Sequence, residues 1–155
     1  MKRRSACVAT VAMLMSLNGC SVMNLFSSST PKAKLTTIGV VATDDANSNM
    51  ATALDLVFVY STEAGAMLPK TAPDWFAHRD GFIAAAPTDL DVVSLQIPPA
   101  FVMKEVALPS RHSKALQVVV YANYIAAAGQ NKLVLTGVKS ALIRLESKSV
   151  VLSEE

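Results

Sequence analysis

The side chains of this chain that could do acid–base or metal chemistry are two histidines and a group of aspartates. His78 and His112 carry imidazole rings, which can act as bases or metal ligands. The aspartates around the segment of His78 are Asp74, Asp80, Asp89 and Asp91. The sequence contains no H-x-x-x-H, C-x-x-C or G-x-S-x-G pattern to support a metal site or a serine nucleophile. We therefore interpret these side chains as solvated turn residues and expect no catalytic residue and no metal ligand. A hydrolase that uses His78 or His112 with a nearby aspartate is an alternative.

Cys20 offers a different chemistry, the attachment of a lipid through its thiol. The chain opens with a basic segment, residues 2–4, and an uncharged apolar run over about residues 6–17. This run is shorter than the roughly 20 apolar residues that a bilayer core requires, so it has the pattern of an export signal. The four residues that end at Cys20 read LNGC and resemble the bacterial lipobox, in which the cysteine is lipidated and the chain is cleaved before it. We expect residues 1–19 to be a lipoprotein signal peptide and Cys20 to carry a covalent lipid, with no other cofactor.

The alternative for Cys20 is an ordinary signal peptide followed by a free or paired thiol. The other cysteine, Cys7, lies in the segment to be removed, so the mature chain could form no internal disulfide. Acyl chains anchor a protein without a transmembrane helix, because each buried methylene contributes about 0.8 kcal/mol. Ser21 follows the cysteine, whereas an aspartate there would resemble an inner-membrane retention signal. We expect a lipid anchor in the outer membrane and a domain that faces the periplasm.

The composition predicts a folded domain with no affinity for nucleic acid. The chain has 155 residues, of which 52% are hydrophobic and 17% are charged, well away from the disordered class. Its formal net charge is +2, but Lys2, Arg3 and Arg4 lie in the predicted signal peptide. Removing them leaves acidic residues in slight excess, which excludes the electrostatic footprint of a nucleic-acid-binding protein.

A serine-rich segment separates Cys20 from the strand pattern. Residues 21–34 read SVMNLFSSSTPKAK and have no sustained apolar period, which is typical of a flexible tether. Fully extended, these residues would reach roughly 45 to 50 Å at about 3.3 to 3.6 Å each. We therefore predict a lipidated cysteine and tether over residues 20–34 and one folded domain over residues 35–155.

Short β-type segments separated by turn residues fill the folded part. The predicted strand segments are 34–43, 53–61, 91–98, 101–109, 115–124, 131–138 and a hairpin over 140–155 with its turn at 146–149. In the second segment Leu54, Leu56, Phe58 and Tyr60 lie on one face, which should be core. Seven or eight strands at this spacing predict an all-β fold, a two-sheet β-sandwich.

A short helix is predicted to interrupt the strands. Thr71 or Ala72 precedes a first turn with Pro73 and Asp74, which suits a helix N-terminus, and Gly81 is expected to end it. Its aromatic residues, Trp75 and Phe76, are interpreted as core, with a partner interface as the alternative.

The connection between the first two strands, residues 44–53, is the candidate binding surface. Ten residues exceed the two to five of a tight hairpin, and longer loops on rigid β-scaffolds often carry binding. A merely solvated loop is the alternative.

The order of these features resembles one family, the type VI secretion outer-membrane lipoproteins called TssJ. The resemblance lies in the lipobox, the tether, the NSN loop, the strand ALDLVFVYS, the aromatic helix, and the segments DLDVVSLQIPPAFVMKEVALP and LQVVVYANY. It implies a transthyretin-like β-sandwich with an added helix and a function without catalysis.

The resemblance also implies a partner and a site. Such lipoproteins fasten the secretion complex to the outer membrane by binding the periplasmic C-terminal region of an inner-membrane protein, TssM. The loop between the first two strands contributes to that contact. By position, it implies these partner-binding residues: Asp44, Asp45, Ala46, Asn47, Ser48, Asn49 and Met50. The alternative function is a lipoprotein sandwich that binds a small ligand or glycan.

Overall fold

The computed structural model describes residues 31–154, so the predicted signal peptide, Cys20 and most of the tether lie outside the described residues. The strands are β1 Thr37–Ala42, β2 Thr52–Val59, β3 Leu90–Ile97, β4 Val102–Met103, β5 Gln117–Ala122, β6 Leu133–Val134, β7 Ser140–Leu145 and β8 Val150–Glu154. The helices are α1 Thr62–Met67 and α2 Ala72–Ala85, and short helical turns cover Ala46–Asn49, His112–Lys114 and Ala127–Gly129. No helix in this part of the chain has the length and apolar character needed to cross a bilayer.

The strands form two four-stranded sheets, in the orders β4-β1-β7-β8 and β3-β2-β5-β6. All neighbours pair antiparallel except β1 and β7, which run parallel from Thr37 opposite Ser140 to Ala42 opposite Leu145. The predicted two-sheet sandwich is therefore confirmed. Because β1 and β2 belong to different sheets, the loop that joins them crosses one end of the sandwich.

Strand β2 is buried on both faces, and this explains its nearly continuous apolar sequence. Leu54, Leu56 and Phe58 point into the core between the sheets, as their alternation predicts. Val57 and Val59 point the other way into a second apolar cluster, beneath the two helices. The helices thus give the outer face of one sheet a core of its own.

Helix α2 begins where the sequence predicts and continues further than predicted. The Thr71 hydroxyl accepts the backbone N–H of Asp74 at 3.4 Å, and Pro73 occupies the first turn. The prediction that Gly81 ends the helix is wrong, since the helix continues to Ala85. Phe82 stacks on Trp75 with ring centroids 5.7 Å apart, and such stacking offsets the roughly 1 kcal/mol that a glycine costs inside a helix.

Trp75 is a core residue, which decides between the two interpretations of this side chain. Its ring is fully buried and, besides Phe82, stacks on Tyr121 with centroids 4.9 Å apart. Phe76 is partly buried and packs against the same cluster. The aromatic residues of α2 therefore fasten the helix to the sheet.

Asp55, in the middle of β2, is a buried carboxylate that positions α2. Its side chain is 2% exposed, and its Oδ2 accepts the indole N–H of Trp75 at 2.9 Å. The Nε of Arg79 lies 3.0 Å from the same oxygen, close enough for an ion pair although not aligned as a hydrogen bond. Two residues one helical turn apart thus converge on one carboxylate of the sheet.

The first described residues are already part of the folded domain. The Ala33 N–H donates to the carbonyl of Ala115 at 2.8 Å, and the Lys34 N–H donates to the carbonyl of Thr136 at 3.1 Å. Ala33 is also buried. Ala33 and Lys34, which precede the predicted boundary at residue 35, are therefore bonded to the segment before β5 and to the connection between β6 and β7.

We expect Asp55→Ala to lower the free energy of unfolding by about 3 kcal/mol, because it removes the acceptor of Trp75 and leaves Arg79 without its carboxylate. Urea unfolding followed by the fluorescence of Trp75, the single tryptophan of the chain, measures this change. Asp80→Ala, at an exposed position of the same helix, is the matched control and should leave the midpoint unchanged. An unchanged midpoint for Asp55→Ala would contradict the role of this carboxylate.

Candidate functional site

The predicted binding loop adopts an uncommon backbone conformation. Asn47, Ser48 and Asn49 all have positive φ, at 47°, 57° and 63°. This left-handed region is unfavourable for residues that have a Cβ, and asparagine enters it more readily than most. The NSN sequence is therefore suited to the tight left-handed turn that this loop makes.

Backbone hydrogen bonds tie the loop to the turn between β7 and β8. The Asn47 N–H donates to the carbonyl of Glu146 at 3.0 Å, and the Ser48 N–H donates to the carbonyl of Ser147 at 3.1 Å. The loop is thus attached to a neighbouring connection at the same end of the sandwich.

The Asn47 side chain joins the loop to a third connection, the segment after β5. Its Nδ2 donates to the carbonyl of Asn123 at 3.2 Å, and its Oδ1 accepts the N–H of Ile125 at 2.8 Å. Because Asn47 is only 2% exposed, these bonds are sheltered from water. One amide group therefore fixes the relative positions of two loops that are distant in sequence.

The structure divides the seven predicted partner-binding residues into two groups. Ala46 and Asn47 are buried, so these two support the loop and cannot offer their side chains to a partner. The five exposed members are Asp44, Asp45, Ser48, Asn49 and Met50. Partner contact through this exposed group stays a prediction.

Ile125 is an exposed neighbour of the loop that the sequence analysis did not select. Its side chain is 64% exposed, while Tyr124 beside it is buried. The Tyr124 hydroxyl donates to the carbonyl of Glu146 at 2.8 Å, and burial raises the pKa of Tyr124 to about 12. Gly129 packs so closely on the Tyr124 ring that a Cβ would overlap it. The sequence signal that could have selected Ile125 was a large apolar residue that follows a predicted strand and precedes a run of small residues.

The loop carries negative charge without a neutralising partner in the described chain. Asp44 and Asp45 are exposed, and the Thr43 hydroxyl donates to Asp45 Oδ1 at 2.8 Å. Within residues 31–154 the ion pairs join Arg79 to Asp55 and Arg111 to Asp91, so neither loop aspartate has a cation within 4.0 Å there.

The two histidines lie on separate elements, and each contacts its own local backbone. His78 Nδ1 lies 3.1 Å from the carbonyl of Asp74, one turn earlier in α2. His112 Nδ1 lies 2.9 Å from the carbonyl of Pro109. Among the described residues no three histidine, cysteine, aspartate or glutamate side chains are grouped so that they could hold a metal ion.

Asp91, one of the candidate acids, belongs to a charged cluster at the opposite end of the sandwich. Arg111 donates from Nε and one terminal nitrogen to the two carboxylate oxygens, both at 2.9 Å, and the Tyr60 hydroxyl donates to Oδ2 at 2.7 Å. The Arg111 hydrogen bonds hold the pKa of Asp91 below its usual value, while burial and Asp91 raise the pKa of Tyr60. These bonds fasten the chain before β5 to β3.

The chain shares its fold with lipoproteins of type VI secretion systems. The Lip protein of Serratia marcescens, described as a membrane-bound component of the type VI secretion system, aligns with a TM-score of 0.57 and 10% identity, over 81% of this chain and 98% of that one. The T6SS lipoprotein TssJ1 of Pseudomonas aeruginosa aligns with a TM-score of 0.54 and 14% identity, over the same shares of the two chains. The resemblance to TssJ noted in the sequence is therefore confirmed at the level of the fold.

A third similar structure is described as the C-terminal domain (869–1107) of the T6SS protein TssM from EAEC. A chain of it aligns with a TM-score of 0.54 and 12% identity, over 76% of this chain and 98% of its own length. In the comparisons with family models and with curated proteins, the chain has no match.

We expect Asn47→Ala to lower the free energy of unfolding by about 2 kcal/mol, because it removes two partly buried hydrogen bonds and leaves the N–H of Ile125 and the carbonyl of Asn123 without their partner. Asn49→Ala is the matched control, since it has the same backbone strain but no side-chain bond to another loop among the described residues. Urea unfolding of both variants measures the difference. Equal losses in the two variants would show that the side-chain bonds of Asn47 contribute nothing.

Proposed function

We propose that this chain is an outer-membrane lipoprotein of a type VI secretion membrane complex, and that it binds the periplasmic region of a TssM-like inner-membrane protein. The lipid on Cys20 supplies the anchor, and the exposed residues of the β1–β2 loop supply the contact. The observation that supports this proposal best is the TssJ fold combined with the placement of the loop and of the N-terminal chain at opposite ends of the sandwich.

The N-terminal chain and the β1–β2 loop lie at opposite ends of the domain, because they precede and follow the same strand, β1. The N-terminal chain is fixed at Ala33 and Lys34, just before β1, and the loop follows the end of β1. Six residues of strand, at about 3.3 Å each, place the loop roughly 20 Å beyond the point where the tether joins the domain. A domain attached through this N-terminus therefore presents the loop away from its own membrane.

The lipid anchor and the tether together favour the contact. Ala33 lies thirteen positions after Cys20, and this length of chain could span roughly 45 Å when extended. Confinement to this range of one membrane raises the effective concentration of the loop for a partner rooted in the opposite membrane, so a modest intrinsic affinity is sufficient.

A structural role without catalysis fits the same observations. The similar structures are described as secretion-system lipoproteins, and the exposed loop offers carboxylates, amides and a thioether but no nucleophile paired with a base. Among the described residues the ring nitrogens of His78 and His112 contact backbone carbonyls and not an aspartate side chain, which argues against the hydrolase alternative.

We expect the double charge reversal Asp44→Lys with Asp45→Lys to weaken binding to the periplasmic C-terminal region of the TssM-like partner by roughly tenfold, about 1.4 kcal/mol. Both side chains are exposed, so the melting temperature should hardly change. Surface plasmon resonance with the full lipidated chain measures the affinity, and Asp80→Lys on α2 is the control. Unchanged affinity in the double variant would show that the loop charges take no part.

We expect Cys20→Ser to abolish recovery of the protein in the outer-membrane fraction and to stop type VI secretion, because the chain then lacks its anchor. Membrane fractionation and a secretion assay in the same strain measure both effects. The structure of the domain should persist, since the first packed residue is thirteen positions away. Normal secretion by this variant would refute the anchoring role.

A further inference from the structure

Two exposed apolar side chains flank the buried Asn47. Among residues 31–154 the exposed large hydrophobic side chains are Met50, Met67, Val102, Ile125, Val134 and Val151. Of these, Met50 and Ile125 are each hydrogen-bonded to Asn47: the Met50 N–H donates to its backbone carbonyl at 3.2 Å, and the Ile125 N–H donates to its Oδ1 at 2.8 Å. Met50 is 56% exposed and Ile125 is 64% exposed.

We infer that Met50 and Ile125 form the apolar centre of the partner surface, which receives an apolar side chain flanked by lysine or arginine on the partner. This inference rests on the proposed function and extends the site from one loop to two. Single exposed hydrophobic residues are normal on protein surfaces and need no explanation. Met50 and Ile125 differ from such residues because the backbone N–H of each is bonded to Asn47, which places them on adjoining segments at one end of the sandwich.

The hydrogen bonds of Asn47 prepare this surface for binding. The β1–β2 loop is bonded to the β7–β8 turn and to the segment after β5, so both apolar side chains sit on backbone that is already ordered. A surface that is ordered before binding loses less conformational entropy on association. In protein interfaces a few central side chains usually supply most of the binding energy, and polar residues surround them. Two apolar side chains bordered by the loop carboxylates fit this pattern.

The charge of the partner segment follows from the groups beside the apolar pair. Asp44 and Asp45 lie on the same loop as Met50, and the loop contains no cation. Cations near this end include Arg144 on β7 and Lys148 in the turn after it, and Glu146 in the same turn adds a further carboxylate. In the described chain Asp44 and Asp45 have no salt bridge to either cation, so they are available to a basic partner.

The experiment measures association and dissociation rates between the full lipidated chain in nanodiscs and the periplasmic C-terminal region of the TssM-like partner. Met50→Ser and Ile125→Ser should each raise Kd at least about tenfold, mainly through faster dissociation. Asp44→Lys with Asp45→Lys should instead slow association and reduce its dependence on salt. Ile125→Thr keeps the β-branched shape and serves as a second variant, should Ile125→Ser lose its fold.

Matched controls come from the same chain. Met67→Ser on α1 and Val134→Ser on β6 remove side chains of similar exposure from other parts of the surface, and both should leave Kd unchanged. An unchanged Kd for Met50→Ser and Ile125→Ser, with binding still weakened by the aspartate reversal, would overturn this inference and leave the proposed function standing. A wild-type chain that does not bind the partner would overturn the proposed function itself.

A photo-crosslinker at position 125 identifies what covers the surface. The inference predicts a cross-link to a basic segment of the TssM-like partner. A cross-link to lipid, to a second copy of this chain, or to an acidic segment would overturn it.

Discussion

The loop end of this sandwich depends on the amide of Asn47. This single side chain satisfies one backbone N–H and one carbonyl in the segment after β5, while its own backbone is bonded to the β7–β8 turn. A buried polar group without partners is costly, so the two loops can separate only by leaving such groups exposed or unpaired. Asn47 thus combines a left-handed backbone conformation with a buried, hydrogen-bonded side-chain contact to the neighbouring segment.

The other end of the domain receives the N-terminal chain. Ala33 and Lys34 are bonded to the segment before β5 and to the connection between β6 and β7, and the Arg111, Asp91 and Tyr60 cluster fastens another connection at this end to β3. Between the two ends, β2 is buried on both faces, with Asp55 holding α2 through Trp75. In the proposed function, this packed body would connect an anchor at one end to a contact at the other.

The sequence predicted the features that depend on local pattern. The two-residue period of Leu54, Leu56 and Phe58 identified the core face of β2, and Pro73 with Asp74 identified the start of α2. The end of α2 was missed, because the stacking of Phe82 on Trp75 is a tertiary contact that no local rule for Gly81 contains. The predicted strand over 101–109 is also wrong in its extent, since only Val102–Met103 forms a strand, β4.

The candidate site was predicted in part. The NSN sequence indicated a turn, and all seven residues of the loop were predicted together, without separating the buried Ala46 and Asn47 from the exposed ones. That Asn47 points inward and is bonded to Ile125 depends on a hydrogen bond between residues separated by 78 positions.

We propose that this domain links an outer-membrane lipid anchor to an inner-membrane protein. The most direct measurement is mass spectrometry of the proteins that co-purify with the full chain from detergent-solubilised membranes. The account predicts a lipid-modified Cys20 and a TssM-like inner-membrane protein in comparable amount. An unmodified Cys20, or a purified chain with no inner-membrane partner, would contradict it.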